Sequence, residues 1–313
     1  MSNKTLYRNL CETRQEIPVF AQAWWLDLVC DEWDAVLAYK GDNITGAWAY
    51  PVEQRLGVGI LRTPRLTPYL GPQVFFPPDM KAANRDSHEN SVVAELMRQM
   101  PATPVWNIAL QPCMKQAGIF KKYGLALTVQ QTFLIDLAMA ESDLLANMKD
   151  TVRKNIRQGE NELTITDEPG CIDILFEYHR RTLSAKEKKI GHTPAELKSV
   201  MDGCIKNNSG SLWVARNGTT TEALVWQVWD KNHSYYFMGA QNPETNGYKA
   251  MTQLLWHCLK TAKKKGIGTF DLEGSMDEGV ERFFRSFGAR RELFMVLQRN
   301  DSGLWKLKKA VMG

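Results

Sequence analysis

The 313-residue chain lacks several features that assign a sequence to a common class of protein. No run of 18 residues is uninterruptedly apolar, so we expect no transmembrane helix. The chain has no Walker loop, no dinucleotide fingerprint and no G-x-S-x-G elbow, which argues against the enzyme classes that depend on them. The opening stretch through Glu16 has no apolar core or small-residue cleavage site, so we also expect no secretory signal.

Disulfide and metal signals are equally scarce. The six cysteines include no C-x-x-C pair, and apart from His192 with Glu196 no histidine stands four residues from a second type of ligand. We therefore expect reduced thiols, a cytoplasmic location and no metal site. The net charge is only +4, all of it after residue 140. This is too little for the basic face of a duplex-DNA binder, although it suits an anionic small ligand or a local phosphate contact.

Alternating strand and helix patterns fill both halves of the chain. The 44% hydrophobic content is enough for real cores, and the length suits two domains. In the second half, three helices precede a three-strand meander, which is followed by helix, strand, helix and strand. The first half follows a looser version of this order. It contains a proline-rich segment, Thr63–Met80, which is either a binding loop or a crossing whose aromatic side chains merely pack.

A basic stripe marks the start of the second half. We predict one helix from Ser142, its N-cap, to Gly159, its terminator. Lys149, Arg153 and Arg157 recur every four residues beside its apolar face, and like charges at this spacing repel one another. The stripe indicates either a groove that holds a phosphate or an ordinary solvated face.

A strand, a turn and a long helix follow over residues 234–265. The amides that open this helix, from Asn246 and Gly247 to Lys249, can bind an anion, and Gly239 ends the preceding strand. The alternative is an ordinary helix start that is capped by Asn246 or Thr245.

Two acids stand at the end of the next predicted strand. Period two puts Asp271 and Glu273 on one face, where Glu273 can act as general base toward an attacking amine. The alternative is that both acids compensate Arg282 and Arg285.

The helix after these acids has one apolar face. We predict that Phe284 is buried there, together with Phe283 and Phe287. Arg285 lies about 100° further around the helix, so it can leave the core and reach a site.

Taken together, these places resemble the Fem-type aminoacyltransferases, which contain two GNAT-like (N-acetyltransferase-like) domains. Asp136-Leu137 before the basic stripe, with Ile156 between Arg153 and Arg157, is similar to the family pattern DL…K-x-x-x-R-x-x-I-R. Four later runs resemble the C-terminal half of the family: 235–240, 254–256, 271–274 and 283–288. The resemblance covers about residues 15–298 and is most specific over about 136–288.

The resemblance implies an α/β fold with mixed sheets and two GNAT-like domains in tandem, 1–138 and 139–313, with the active site in the second. It implies transfer of an acyl or aminoacyl group from acyl-CoA or aminoacyl-tRNA to a small-molecule or peptide amine, such as a cell-wall precursor. tRNA would then be a partner, and no cofactor is tightly bound.

The implied roles fall on the residues already singled out. Glu273 is the base, and Tyr236 and Tyr248 are candidate proton donors to the leaving group. Arg285 and the amides at the start of the long helix bind the donor or the developing oxyanion, and Gly239 is a further donor-binding residue. The basic stripe holds a phosphate of the donor or acceptor.

Two departures from the family pattern leave the donor open. The family's usual Phe-Lys pair is Phe283-Phe284 here, so the lysine is missing. The acetyl-CoA loop, Arg/Gln-x-x-Gly-x-Gly/Ala, is not met either, because placing Gly247 at its first glycine puts Glu244 and Lys249 at the flanking positions. The alternative function is therefore a catalytically silent tandem scaffold that binds a ligand or partner.

Overall fold

The computed structural model describes residues 1–245, 247–274 and 277–303. Its contacts divide the chain into two units. Unit 1 comprises Met1–Gln130 and the described residues from Leu293 onward, and unit 2 comprises Gln131–Glu292. Within the described ranges, no helix combines the length and apolarity needed to span a bilayer.

The elements that begin in unit 1 are, in chain order, α1 (Asn3–Thr13), α2 (Ala23–Val29), β1 (Trp33–Lys40), β2 (Asn43–Pro51), β3 (Glu53–Arg55), β4 (Val58–Arg62), β5 (Gln73–Val74), α3 (Ala82–Gln99), β6 (Val105–Ala109), α4 (Ala117–Lys122) and β7 (Ala126–Asp136).

The elements that begin in unit 2 are α5 (Glu141–Asn147), α6 (Asp150–Glu162), β8 (Thr164–Asp167), α7 (Ile172–Ser184), α8 (Pro194–Lys206), β9 (Gly210–Asn217), β10 (Thr220–Trp229), β11 (His233–Gln241), α9 (Tyr248–Lys264), β12 (Thr269–Asp271), α10 (Glu278–Ser286) and β13 (Arg290–Asn300).

The predicted domain boundary at 138/139 differs from this division at both ends. The end of β7 belongs to unit 2 because residues 134–136 pair with β12. The chain from Leu293 onward belongs to unit 1 because residues 296–300 of β13 pair with β6. Sequence order alone assigned β13 to the second domain, since it directly follows α10.

In unit 1, the proline-rich segment packs onto the protein. β4 and β6 run parallel, and the last pair in their register is Arg62 with Asn107. Beyond that pair, the chain after β4 stays bonded to β6, because the Leu70 N–H donates to the Ala109 carbonyl at 2.8 Å. Tyr69 and Leu70 are buried. Of the two interpretations of this segment, the structure therefore supports the packed crossing.

Unit 2 has the strand order β7-β12-β11-β10-β9-β8. Its core gathers apolar side chains of α5, α6, α9 and α10 with those of the sheet. The apolar face of α9 is buried throughout, at Met251, Leu254, Leu255, Cys258 and Ala262.

A gap opens in this sheet between β11 and β12. The two strands are parallel and pair through three positions, the last of which joins Tyr235 to Asp271. β12 ends there, whereas β11 continues to Gln241 along β10, with a bulge at Phe237. From Tyr236 and Leu272 onward the two chains are therefore no longer paired. We call this end of the pairing the strand gap.

The single helix predicted from Ser142 to Gly159 is in fact two helices. Met148 and Lys149 have extended backbones that end α5 and begin α6. The N-cap of α5 is Ala140, and α6 continues past Gly159 to Glu162. The predicted buried stripe nevertheless persists across the break, at Leu144, Met148, Val152 and Ile156.

Candidate functional site

Glu273 lies at the mouth of the strand gap, two residues after β12 ends. Its φ of 49° falls in the left-handed region, which is unfavourable for a residue with a side chain. Its carboxylate Oε1 is buried and has no hydrogen-bond partner among the described residues. Burial, and secondarily the nearby charge of Asp271, raises the pKa of Glu273 well above its usual range.

A hydrogen-bond network from β7 and β12 holds this turn in place. The buried Asp271 carboxylate accepts from the Thr132 hydroxyl and, at 2.8 Å, from the Glu273 N–H. The Thr132 hydroxyl in turn accepts from the Gly274 N–H at 2.9 Å. A Cβ on Gly274 would overlap the backbone of Gln131 and Thr132, so only glycine allows this close approach.

The two acids do not act as a matched pair. The turn at Glu273 breaks the period-two pattern that puts both acids on one face, because β12 ends at Asp271. Nor do these acids compensate the arginines of α10. Arg282 pairs with Glu278 at 2.9 Å and Arg285 with Glu281 at 3.5 Å.

Tyr236 is the first residue of β11 beyond the last pair with β12. Its ring meets Phe284 of α10 edge-on, with the ring centroids 5.6 Å apart. Its hydroxyl donates to the Met251 Sδ of α9 at 3.4 Å. Burial raises the pKa of Tyr236, so the phenol keeps its proton at neutral pH.

The aromatic face of α10 matches its prediction. Phe284 and Phe287 are buried and Phe283 is partly buried. Phe283 packs edge-on against Tyr248, whose ring centroid lies 5.5 Å away and which is 41% exposed. The Arg285 side chain is 61% exposed and pairs with Glu281. No described contact joins it to Glu273 or Tyr236.

The start of α9 combines features that attract and repel an anion. Gly247 is the N-cap and supplies no side-chain cap, which leaves the first amides available. Thr245 is not the cap, since Gly247 holds that position, and the Thr245 hydroxyl donates to Glu222 at 2.6 Å. Lys249 pairs with Glu162, and Glu244 pairs with Arg181. Asn246 lies outside the described residues.

The basic stripe separates into three different environments. Lys149 precedes α6, and its backbone N–H donates to the Ser286 carbonyl. Arg153 turns back, pairs with Asp150 and donates to three carbonyls at the end of α5. Arg157 is exposed and has no ion pair within the described ranges. With Arg153, it lines an open depression of about 550 Å³ on α6.

The structure thus brings Glu273 and Tyr236 to the two sides of one gap, and Tyr248 contacts the same aromatic cluster through Phe283. It does not join Arg285 or Lys249 to them by any described contact. Sequence reasoning missed Thr132, Met251 and His179. Burial lowers the pKa of His179, while a hydrogen bond to the Gly239 backbone raises it in part. None of the three stands in a recognisable motif.

The part of unit 2 that holds this arrangement of a parallel strand pair, a buried acid and the start of a long helix also matches a known family. Residues 142–285 match the family model of an acetyltransferase (GNAT) domain. This segment is therefore an acyltransferase domain of the GNAT type. No curated protein sequence matches it.

Solved structures extend the likeness to the whole chain. FemX aligns with a TM-score of 0.69 and 11% identity, over 97% of this chain and 98% of that one. L-PGS from Bacillus licheniformis aligns at 0.51 and 10% identity, over 88% of each chain. A tandem GNAT protein from the clavulanic acid biosynthesis pathway aligns at 0.50 and 11% identity, over 90% of this chain and 87% of its own.

These likenesses confirm the predicted fold class, a mixed α/β fold with two GNAT-like units in tandem, and the resemblance to Fem-type proteins. The family match supports an acyltransferase as the broad class of activity. At these identities a structural likeness carries the fold alone, so the donor and the acceptor have to be argued from the site.

Proposed function

We propose that unit 2 transfers an acyl or aminoacyl group to an amine, with Glu273 as the general base. The observation that carries this proposal is the Glu273 Oε1 atom, which is buried, has no hydrogen-bond partner among the described residues and stands at the mouth of the strand gap. Burial raises the pKa of Glu273, so its carboxylate is a stronger base toward an attacking amine than an ordinary glutamate.

The proton steps of this reaction balance within the site. The amine nitrogen attacks the acyl carbon, and the bond from that carbon to the leaving oxygen or sulfur breaks. Glu273 takes the proton from nitrogen, while the Tyr236 hydroxyl gives its proton to the leaving atom. Proton exchange through solvent then restores Glu273 and Tyr236. Tyr248 is the alternative proton donor, and we propose Arg285 for the developing oxyanion.

The donor we propose is an acyl carrier that bears phosphate, either acyl-CoA or aminoacyl-tRNA. The uncapped start of α9 offers amides to a phosphate, whereas the nearby Glu222 and Glu244 carboxylates oppose one. The exposed Arg157, with Arg153 and Lys149, offers a second phosphate contact on α6. We propose a peptide amine, as in a cell-wall precursor, as the acceptor. We expect the reaction in the cytoplasm, where the free thiols would stay reduced.

The test supplies both donors to the purified full-length chain. Radiolabelled acetyl-CoA and tRNA charged with radiolabelled amino acids are each incubated with a lysine-containing peptide, and label on the peptide is measured. We expect transfer from one donor. Glu273→Gln should lower turnover by about 10²–10⁴-fold, because it removes the base.

Glu278→Gln is the matched control, since it removes an exposed carboxylate of α10 whose partner is Arg282. This variant should keep the turnover of the unmodified protein. Equal turnover in Glu273→Gln would show that Glu273 is not the base. Absence of label from both donors would favour the silent scaffold.

A further inference from the structure

Position 239 requires glycine because there is no room for a side chain, and not because of its backbone conformation. Gly239 is absent from the residues whose φ is positive, so its backbone is one that any residue adopts. A Cβ at this position would, however, overlap the hydroxyl and the ring of Tyr236. The side-chain position of Gly239 is therefore already occupied by the phenol of Tyr236.

The bulge in β11 brings these two residues together. In a regular strand, residues three apart point to opposite faces. In β11, Tyr236 pairs with Gln227 and Met238 with Trp226, which leaves Phe237 as the extra residue of a bulge. The extra residue returns Gly239 to the face of Tyr236.

The partner of the Tyr236 hydroxyl is a weak one. Within the described ranges, its hydrogen-bond acceptor is the thioether sulfur of Met251, at 3.4 Å. Sulfur accepts hydrogen bonds less strongly than oxygen, so little is lost when the hydroxyl exchanges it for a better acceptor. Phe284 fixes the ring from the side of α10.

We infer that Gly239 and Met251 are positioning residues: they form a seat that holds the Tyr236 hydroxyl at the strand gap until a leaving group replaces the sulfur as its partner. This inference rests on the proposed role of Tyr236 as proton donor. It reassigns Gly239, which the sequence placed among the donor-binding residues, to the support of a neighbouring side chain.

The test follows the Tyr236 phenol directly by NMR of protein whose tyrosines are isotope-labelled at Cζ. The chain has nine tyrosines, and Tyr236→Phe identifies the resonance of interest. In the unmodified protein this resonance should stay in its protonated position at pH values where ordinary tyrosines ionise, near about 10. In Gly239→Ala the displaced phenol meets water and should ionise at lower pH.

Gly268→Ala is the matched control, because a Cβ at Gly268 meets no atom within 4 Å and its φ is not positive. It should leave the Tyr236 resonance unchanged. Met251→Leu keeps the side-chain volume but removes the sulfur, so it should shift the same resonance.

If a folded Gly239→Ala protein has a Tyr236 resonance that titrates as in the unmodified protein, the inference that Gly239 helps to hold the Tyr236 hydroxyl is wrong. If Gly239→Ala does not fold, an unshifted resonance in Met251→Leu would overturn it instead. These readouts need no substrate, so they separate failure of the seat from failure of the proposed function. Where turnover is measurable, Gly239→Ala and Tyr236→Phe should lower kcat by a similar factor, about 10²-fold, with KM little changed.

Discussion

At the scale of single residues, the ionised form of the Glu273 carboxyl group is unfavourable in the folded protein. The buried carboxyl group has a pKa above that of the unfolded chain, about 4.3, so the folded state binds the proton more tightly. Its contribution to stability is complete below the unfolded pKa and is lost as the pH rises through the folded pKa. As the pH rises, the Glu273 carboxyl group loses its proton and becomes able to act as a base. The same ionisation lowers the stability of the folded protein.

Glu273→Gln should remove this pH dependence. The amide resembles the protonated acid, so the variant should gain stability relative to the unmodified protein as the pH rises. The difference between their free energies of unfolding should change by up to about 1.4 kcal/mol per pH unit between the two pKa values. Urea denaturation at a series of pH values from acid to weakly alkaline measures this difference. Curves that stay parallel would show that Glu273 titrates normally.

Phe284 and Arg285 are neighbours with opposite expected effects. Phe284 is 3% exposed and contacts Tyr236 and Phe133, so Phe284→Ala should cost about 3–5 kcal/mol of stability. Arg285→Ala should cost less than about 1 kcal/mol, because its ion pair is exposed, and should lower turnover if Arg285 reaches the oxyanion. Chemical denaturation and the transfer assay measure the two effects. A stable but inactive Phe284→Ala would show that the site lies on the Phe284 face of α10 and not where we propose it.

The residues of the site were only partly predictable. The acid at position 273 and the burial of Phe284 follow from strand-end position and helical spacing. The left-handed backbone of Glu273 does not, because it depends on the network that joins Thr132 to Asp271 across 139 positions of sequence. The contact of Tyr236 with Gly239 depends on a β-bulge that no local sequence pattern predicts.

At the scale of elements, the break between α5 and α6 changes the meaning of the basic stripe. An unbroken helix would leave Lys149, Arg153 and Arg157 as three repelling cations. The break instead exposes the last carbonyls of α5, and the Arg153 guanidinium donates to those of Leu145, Ala146 and Met148. Both arrangements bury the same i, i+4 stripe, so the hydrophobic pattern cannot distinguish one helix from two.

Arg153 and Arg157 should therefore respond differently to substitution. Arg153→Gln should lower stability by about 1–3 kcal/mol, because it removes charged hydrogen bonds that end α5. Arg157→Gln should leave stability within about 0.5 kcal/mol and weaken the binding of an anionic donor in a salt-dependent way. Urea denaturation and donor binding at two salt concentrations test the pair. Unchanged anion binding at low salt in Arg157→Gln would identify an ordinary solvated face.

At the scale of the whole molecule, the two units differ at equivalent strand ends. Gln111 stands two residues after β6, as Glu273 stands two residues after β12. In unit 1 the chain around Leu70 stays bonded to β6, whereas in unit 2 the strands are no longer paired. An amide cannot take a proton from an amine, so the chemistry is expected in unit 2 alone.

Gln111→Met tests this asymmetry. The Gln111 side chain is buried, and neither of its polar atoms has a partner among the described residues. An apolar side chain of similar length should stabilise the protein by about 1–3 kcal/mol and leave transfer activity unchanged. Thermal unfolding and the transfer assay measure both. A loss of activity would reveal a second site in unit 1.

The return of the chain to unit 1 at β13 also affects how the protein is made. β6 receives its partner strand from residues 296–300, which leave the ribosome after all of unit 2. Unit 2 is continuous in sequence and can complete its own sheet first, which reverses the usual order of folding from the N-terminus. At about 5–20 residues per second, one edge of β6 stays bare for on the order of ten seconds or more, and in that time it is open to pairing with other nascent chains.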